Sequence, residues 1–262
     1  MEFHSNKTWY FNTQLQNCVE YVIPFIEKGM EITSETRVLE IGCAEGGVLK
    51  GFLDRGCQGV GVELQHSRYE LAMKFLEPEV KEGRAHLVSK NIYDTDFAEE
   101  LGTFDLIVLK DVIEHIHDQD KLMKKLKDIL KPDGKVFFGF PPWQMPFGGH
   151  QQVAKNKWAA RLPYYHLLPY GLYRSVLKAF GESEKTIEGL IEVKDTRISL
   201  GQFEHLCKSN QYKILVKTLF LFNPIYKFKF GLKPRKQFPL VGSIPYLRNF
   251  YTTCGYYLIG NR

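Results

Sequence analysis

Two stretches of this 262-residue chain carry side chains suited to moving protons or gripping a charged ligand. The first is "KDVIEHIHD" (110–118), with Asp111, Glu114, His115 and His117 close together. The second is "PFGGHQQ" (146–152), where His150 follows a glycine pair. A neutral imidazole near pH 7 is a suitable proton acceptor for a reacting hydroxyl. His115 and His150 are therefore the candidate catalytic bases, with Asp111 and Glu114 behind them. His117 reads as a surface or capping residue. The pair Gly148-Gly149 is expected to allow unusual backbone angles just before His150.

A third stretch, "VLEIGCAEGGVL" (38–49), is built to hold a ligand. Four strand-like residues run into a glycine-bearing turn and then an apolar helix start. A dinucleotide turn would place a glycine where Ala44 stands, so that the pyrophosphate could approach the backbone. Glu45 would add a carboxylate beside the phosphates. Like charges 4–5 Å apart cost on the order of several kcal/mol at an effective dielectric near 20. A helix N-terminus returns only about 1 kcal/mol. A nucleoside ligand without phosphate and with a cationic end, such as S-adenosylmethionine, removes the conflict. Glu40 can then face the positive amino-acid end, Gly42 and Gly46 allow close packing, and Glu63, 21 residues after Gly42, suits the ribose hydroxyls.

These residues need a scaffold, and the chain alternates strand-like and helix-like segments. Strands are expected at 37–42, 59–64, 85–91, 104–112 and 134–140, with helices at 46–56, 67–76 and 118–131, the last capped by Asp118. A helix at 199–210 and strands at 212–222 and 255–261 complete the pattern. An N-terminal helix at 12–29 should be disturbed at Pro24. The fold class is α/β: a doubly wound, seven-stranded, mostly parallel, Rossmann-like sheet with cap insertions after strands five and six. The expected organisation is an N-terminal helical segment (1–35), a ligand-binding core (36–142), a cap (143–198), and the end of the core (199–262) with a basic aromatic insertion at 223–252.

E-x-G-x-x-x-G at 40–46, the acidic Glu63, and "FDLIVLKDVIEHIHD" followed by "LKPDGKVFFGFP" together resemble the class I S-adenosylmethionine-dependent methyltransferases. The likeness is nearest to the branch with the ubiquinone and menaquinone biosynthesis methyltransferases. It covers roughly 36–142 and continues at 199–222 and 255–261. The resemblance implies S-adenosylmethionine as cofactor and S-adenosylhomocysteine as product. It implies that Glu40, Gly42, Cys43 and Gly46 hold the methionine part, Glu63 and Leu64 the ribose side, and Asn91 and Ile92 the adenine. It places the backbone at Lys110 near the methionine amino group. The family usually has Asp where Asn91 stands; an amide can still bond an exocyclic amine.

Composition bounds the rest. No apolar run reaches the ~18–20 residues of a membrane span, and "MEFHSNKTWYF" lacks a signal-peptide pattern. The five cysteines (18, 43, 57, 207, 254) contain no C-x-x-C pair and read as reduced thiols, with neither disulfide nor metal site expected. The expected location is cytoplasmic. Residues 1–140 carry 17 basic and 24 acidic residues, whereas 141–262 carry 18 and 6, with no acidic residue after Glu204. The basic part, rich in aromatics, is expected to touch an anionic membrane peripherally, with Lys227, Lys229, Lys233, Arg235 and Lys236 exposed. Trp143, Tyr164, Tyr165 and His166 of the cap are candidate acceptor contacts. The expected reaction is O-methylation of a small or lipid-linked acceptor. The alternatives are methylation of RNA or another anionic substrate, and a non-catalytic S-adenosylmethionine-binding protein. An N-P-P-Y-type tetrad, frequent in methylases of base amino groups, is absent after strand four. A nicotinamide-dependent dehydrogenase would require the missing middle glycine.

Overall fold

The computed structural model describes residues 6–94 and 96–262; residues 1–5 of the expected N-terminal segment lie outside it. In chain order, α1 (Lys7–Asn17) and α2 (Ile23–Ile26) precede β1 (Arg37–Ile41), α3 (Gly47–Leu53), β2 (Gln58–Val62), α4 (His66–Phe75), α5 (Glu77–Lys81) and β3 (Ala85–Val88). Then come α6 (Phe97–Leu101), β4 (Phe104–Lys110), α7 (Gln119–Ile129) and β5 (Leu130–Phe140). The segment after β5 holds α8 (Lys157–Arg161), α9 (Tyr170–Ala179) and α10 (Glu184–Asp195). The chain closes with α11 (Leu200–Ser209), β6 (Tyr212–Phe222), α12 (Tyr226–Phe230), β7 (Arg235–Lys236), α13 (Pro239–Ser243), α14 (Leu247–Tyr251) and β8 (Cys254–Asn261).

The sheet order is β3-β2-β1-β4-β5-β8-β6-β7. Neighbours from β3 to β5 pair parallel, whereas β8 pairs antiparallel with β5 and β6, and β7 antiparallel with β6. This corrects the expectation of seven mostly parallel strands: the described sheet is mixed and has eight. The extra strand, β7, is two residues inside the 223–252 insertion, so part of that insertion extends the sheet edge. A two-residue strand has no period to read.

Successive residues of the central strands point to opposite faces. Leu106 and Val108 of β4 join the core under α1–α3, and Ile107 and Leu109 join the core under α7 and α11. Both faces are covered, which is why these strands read as unbroken apolar runs. In α7, Leu122, Met123, Leu126 and Ile129 form the buried stripe, and the Asp118 side chain caps the Lys121 amide as expected. Each fully buried Phe or Leu contributes roughly 1.5–3 kcal/mol, and Phe137, Phe138, Phe140 and Phe203 are all fully buried. The segment after β5 has a small core of its own around Tyr165, Tyr173, Leu177, Ile187 and Leu190.

The N-terminal helix starts at Lys7, five residues earlier than expected, and is disturbed just before Pro24. Cys18–Val22 form a single π turn, with the Ile23 amide bonding the Cys18 carbonyl. Proline has no N–H, and its ring crowds the carbonyl four residues back; one wide turn relieves both.

Candidate functional site

The strand order reverses between β1 and β4, and ligands of open α/β sheets bind beyond the carboxyl ends at that point. A cavity of about 60 Å³ lies there. The turn after β1 lines it through Gly42, Cys43, Ala44 and Glu45; Lys110 and Asp111 close it from the end of β4, and Arg68 from α4. Tyr10, Phe11 and Gln14 of α1 form its roof.

Glu63 holds the turn. Its Oε2 accepts from the Ala44 amide at 2.9 Å and its Oε1 from the Gln65 amide at 2.8 Å. Gly42, Ala44 and Gly46 all take positive φ, of 69°, 49° and 85°. Gly42 lines the cavity as expected, whereas Gly46 does not: a Cβ there would lie 2.8 Å from Leu76, so this glycine serves packing and the left-handed start of α3. The close approach that requires a glycine is at Gly47, where a Cβ would meet the Phe11 carbonyl oxygen at 2.5 Å. Glu45 is buried and paired with Lys7 of α1 at 2.8 Å. A pairing across 38 residues leaves no local sequence signal, so the carboxylate expected to repel phosphate is already neutralised by the chain itself.

Glu40 is buried in β1, and its Oε2 has no hydrogen-bond partner. Burial pushes its pKa up to about 8, against a backbone hydrogen bond from Leu49 and the nearby charge of Lys110. The expectation at Lys110 concerned its backbone, yet its buried ammonium also faces the cavity and meets Asp111 Oδ2 at 2.6 Å. Burial pulls that lysine down, but Asp111, with Tyr256 and Tyr10, outweighs it and holds the pKa above the ordinary range. Cys43 lines the cavity as a buried thiol whose pKa burial pushes well up. Leu64 is exposed just beyond Glu63. At the end of β3, Asn91 is exposed and accepts from the Tyr93 amide at 3.0 Å, while the Ile92 side chain is buried in the core.

The residues present fit an adenosyl ligand with an amino-acid tail. An orphaned buried carboxylate at Glu40 suits an ammonium group, Lys110 and Arg68 suit a carboxylate, and Glu63 keeps lone pairs for a ribose diol.

On the acceptor side, the His115 and His150 rings lie 5.0 Å apart between centroids. His115 reaches solvent, yet desolvation holds its pKa below the ordinary histidine value, against Asp111 and Glu192. His150 itself takes φ +54°. The two glycines before it act differently from the expectation: a Cβ at Gly148 would strike the Trp143 carbonyl oxygen at 2.0 Å, and one at Gly149 would strike His166 at 2.4 Å. Close packing, not unusual φ, requires them.

Glu114 is buried beneath this pair, with both carboxyl oxygens unpartnered, and burial raises its pKa well above the ordinary range. One ligand atom each from Glu114, His115 and His150 lie within 4.8 Å of one another. These three side chains can hold a divalent cation, although the sequence suggested no metal site. The turn that carries Glu114 and His115 is tied to α10: the Thr196 hydroxyl donates to the Glu114 carbonyl at 2.6 Å, and His117 faces Glu192 at 3.7 Å on the surface.

Of the four expected acceptor contacts, His166 and Tyr165 are buried within the segment after β5. His166 is fully buried, with Nε2 2.9 Å from the Trp143 carbonyl oxygen and Nδ1 3.1 Å from Gln151, and burial lowers its pKa to about 4. Tyr165 packs into the small core beside Tyr173. An aromatic-rich segment needs a core, and sequence alone does not say which rings fill it. The Tyr164 hydroxyl donates to the Phe250 carbonyl at 3.3 Å. Trp143 lines a second cavity of about 420 Å³ with Arg197, Tyr246 and Phe250. From the basic insertion, Lys227, Lys233, Arg235 and Lys236 are exposed as expected, but Lys229 is half-buried. Its pKa is lowered by burial, opposed by Asp111, and its Nζ lies 5.9 Å from the centroid of the Tyr10 ring.

Residues 12–175 match a protein family described as a methyltransferase domain. The chain is 27% identical over 114 residues to a ubiquinone biosynthesis O-methyltransferase of Idiomarina loihiensis, covering 44% of this chain and 46% of that one. It is 27% identical over 134 residues to a sterol 4-C-methyltransferase of Caenorhabditis elegans, covering 51% and 39%. It thus spans less than half the length of these relatives. In fold it is similar to an S-adenosylmethionine-dependent methyltransferase from Clostridium acetobutylicum, with TM-score 0.57, 13% identity, and 94% and 92% of the two chains covered. A geranyl diphosphate C-methyltransferase from Streptomyces coelicolor gives TM-score 0.56 at 12% identity, covering 93% and 79%.

Proposed function

The chain belongs to the methyltransferase domain family, and on that premise we propose that it methylates a hydroxyl of a small or lipid-linked acceptor. It has the α/β fold of S-adenosylmethionine-dependent methyltransferases. The observation that carries the donor half of this reading is the buried Glu40 carboxyl at the strand-order reversal, whose Oε2 has no hydrogen-bond partner, with Lys110 and Glu63 around the same turn. When bound, S-adenosylmethionine supplies a sulfonium methyl group open to in-line displacement.

Glu40 binds and orients the ammonium end. Glu63 grips the ribose while fixing the turn. His115 or His150 accepts the proton that the acceptor hydroxyl loses as its new C–O bond forms. The 143–198 segment serves as the cap, anchored on the His115 turn through Thr196. A second reading of the acceptor side is favoured by Glu114: its two orphaned oxygens beneath His115 and His150 support a bound divalent cation that acidifies the hydroxyl instead. Methylation of RNA or another anionic acceptor, and cofactor binding without turnover, are the alternatives.

Calorimetry with S-adenosylmethionine and S-adenosylhomocysteine tests the donor half. We expect binding by the wild type and a loss of tenfold or more in Glu40→Ala, about one lost charge-assisted contact. No binding by the wild type would overturn the functional class.

A further inference from the structure

Half of the exposed large hydrophobics, eight of sixteen among the described residues, fall between Phe230 and Tyr251. Leu240 is 75% exposed and Phe238 60%, at the start of α13, a helix with no buried residue. Ile244 and Tyr246 follow, both exposed, in the link to α14. Lys233, Arg235 and Lys236 stand exposed just before them, and no Asp or Glu occurs from 205 to 262. Soluble monomers rarely expose apolar side chains in such a cluster. Apolar side chains rimmed by lysine and arginine are the composition of a segment that lies in the interface of an anionic bilayer. A single-stranded RNA surface would present rings on which bases stack; four of these eight side chains are aromatic, but Leu232, Leu240, Ile244 and Leu247 offer a base nothing to stack on and suit a bilayer.

We infer that the 230–251 segment docks on an anionic lipid surface, with Phe238, Leu240 and Tyr246 entering the headgroup region and Lys233, Arg235 and Lys236 against the lipid phosphates. The same insertion meets the site from its other end, where Lys229 Nζ on α12 lies 5.9 Å from the centroid of the Tyr10 ring that lines the 60 Å³ cavity. Tyr246 and Phe250 of the segment also line the 420 Å³ cavity, together with Trp143 and Arg197. The bilayer then presents a lipid-linked acceptor beside the site. That last step rests on the methyltransferase reading, whereas the docking itself does not.

Vesicle flotation of the full chain tests this, with phosphatidylcholine alone and with added phosphatidylglycerol. The chain should float with the anionic vesicles and much less with the neutral ones. Leu240→Glu should abolish flotation, and Lys233→Glu with Lys236→Glu should remove the preference for phosphatidylglycerol, at about fivefold or more per position. All these positions are exposed, and the unfolding midpoint and S-adenosylhomocysteine affinity of each variant should match the wild type. Failure to float with either vesicle would overturn the inference. So would Leu240→Glu floating like the wild type, or capture by polyuridylic acid with no vesicle binding. Flotation without S-adenosylhomocysteine binding would leave the docking surface standing and overturn the methyltransferase reading; binding without flotation would do the reverse.

Discussion

The Glu63 carboxylate at the end of β2 accepts from the Ala44 amide at 2.9 Å, joining the second strand of the sheet to the turn after the first. Ala44 sits at φ +49°, a conformation that costs an L-residue roughly 1–2 kcal/mol. The charge-assisted hydrogen bond from its amide offsets that cost. One side chain thus shapes the turn and, in the proposed function, grips the ribose.

Glu63→Ala should therefore do two things at once. Two backbone amides lose their acceptor, costing about 1–3 kcal/mol of stability in denaturant unfolding. S-adenosylhomocysteine affinity should also fall by tenfold or more in calorimetry. Glu63→Gln keeps a carbonyl oxygen for one amide and should recover much of the stability while binding stays weak. Equal recovery of both would mean that Glu63 is structural only.

Glu40 makes the proposed cofactor binding pH-dependent. Its folded pKa of about 8 lies above the unfolded value, so the folded chain holds a proton that the unfolded chain releases. The stability this gives is greatest below about 4.5 and is lost as pH rises to about 8. An ammonium ligand favours the carboxylate, so binding below pH 8 releases that proton. Affinity for S-adenosylhomocysteine should rise with pH, by at most about tenfold per unit, and level off near 8. Calorimetry in buffers of different ionisation enthalpy reads the released proton directly. Glu40→Gln should bind weakly with no such slope, and a slope surviving in that variant would locate the proton elsewhere.

Much of the sheet was legible because its strands are buried on both faces and read as apolar runs between glycine and aspartate signals. The turn after β1 was legible for a related reason, because backbone geometry constrains residues within a few positions, whereas the hydrogen bond from Ala44 to Glu63, across 19 residues, was not. What escaped were partnerships across the chain. Lys7 with Glu45, Gly47 against Phe11, and Lys229 over the Tyr10 ring join segments 36 to 219 residues apart, and none leaves a local period. His166 misled because a histidine among aromatics looks alike whether it lines a pocket or, as here, bonds Trp143 and Gln151 inside a small core.

The Glu114, His115 and His150 cluster separates the two acceptor-side readings. If it holds a cation, Zn²⁺ or Mn²⁺ should bind with release of the Glu114 proton, and Glu114→Gln and His150→Ala should each lose the metal. Dialysis against a chelator should then suppress transfer to any hydroxyl acceptor that the wild type methylates. If the histidines act alone, chelation changes nothing, and replacing the working base lowers turnover by about 10²–10⁴-fold with cofactor affinity unchanged. Because the His115 pKa is lowered, an acid limb from His115 should fall below the usual value near 6.5.

Finally, α1 should move as the amino-acid end of a nucleoside-sized ligand enters the cavity it roofs. Pockets for such ligands are about 300–1,000 Å³, and the cavity under Tyr10, Phe11 and Gln14 is about 60 Å³. The Lys7–Glu45 pair and the Phe11–Gly47 approach are what hold α1 down. Lys7→Ala should cost about 1–3 kcal/mol: Lys7 is 37% exposed and its charge is screened, but the buried Glu45 carboxyl loses its partner. It should also speed both association and release of S-adenosylhomocysteine in stopped-flow and reduce hydrogen-exchange protection across 7–17. Gly47→Ala, whose Cβ would press on the Phe11 carbonyl, should loosen α1 in the same assay without touching the ion pair. Exchange rates unchanged in both variants would mean that ligand enters by another path and that α1 is a fixed wall.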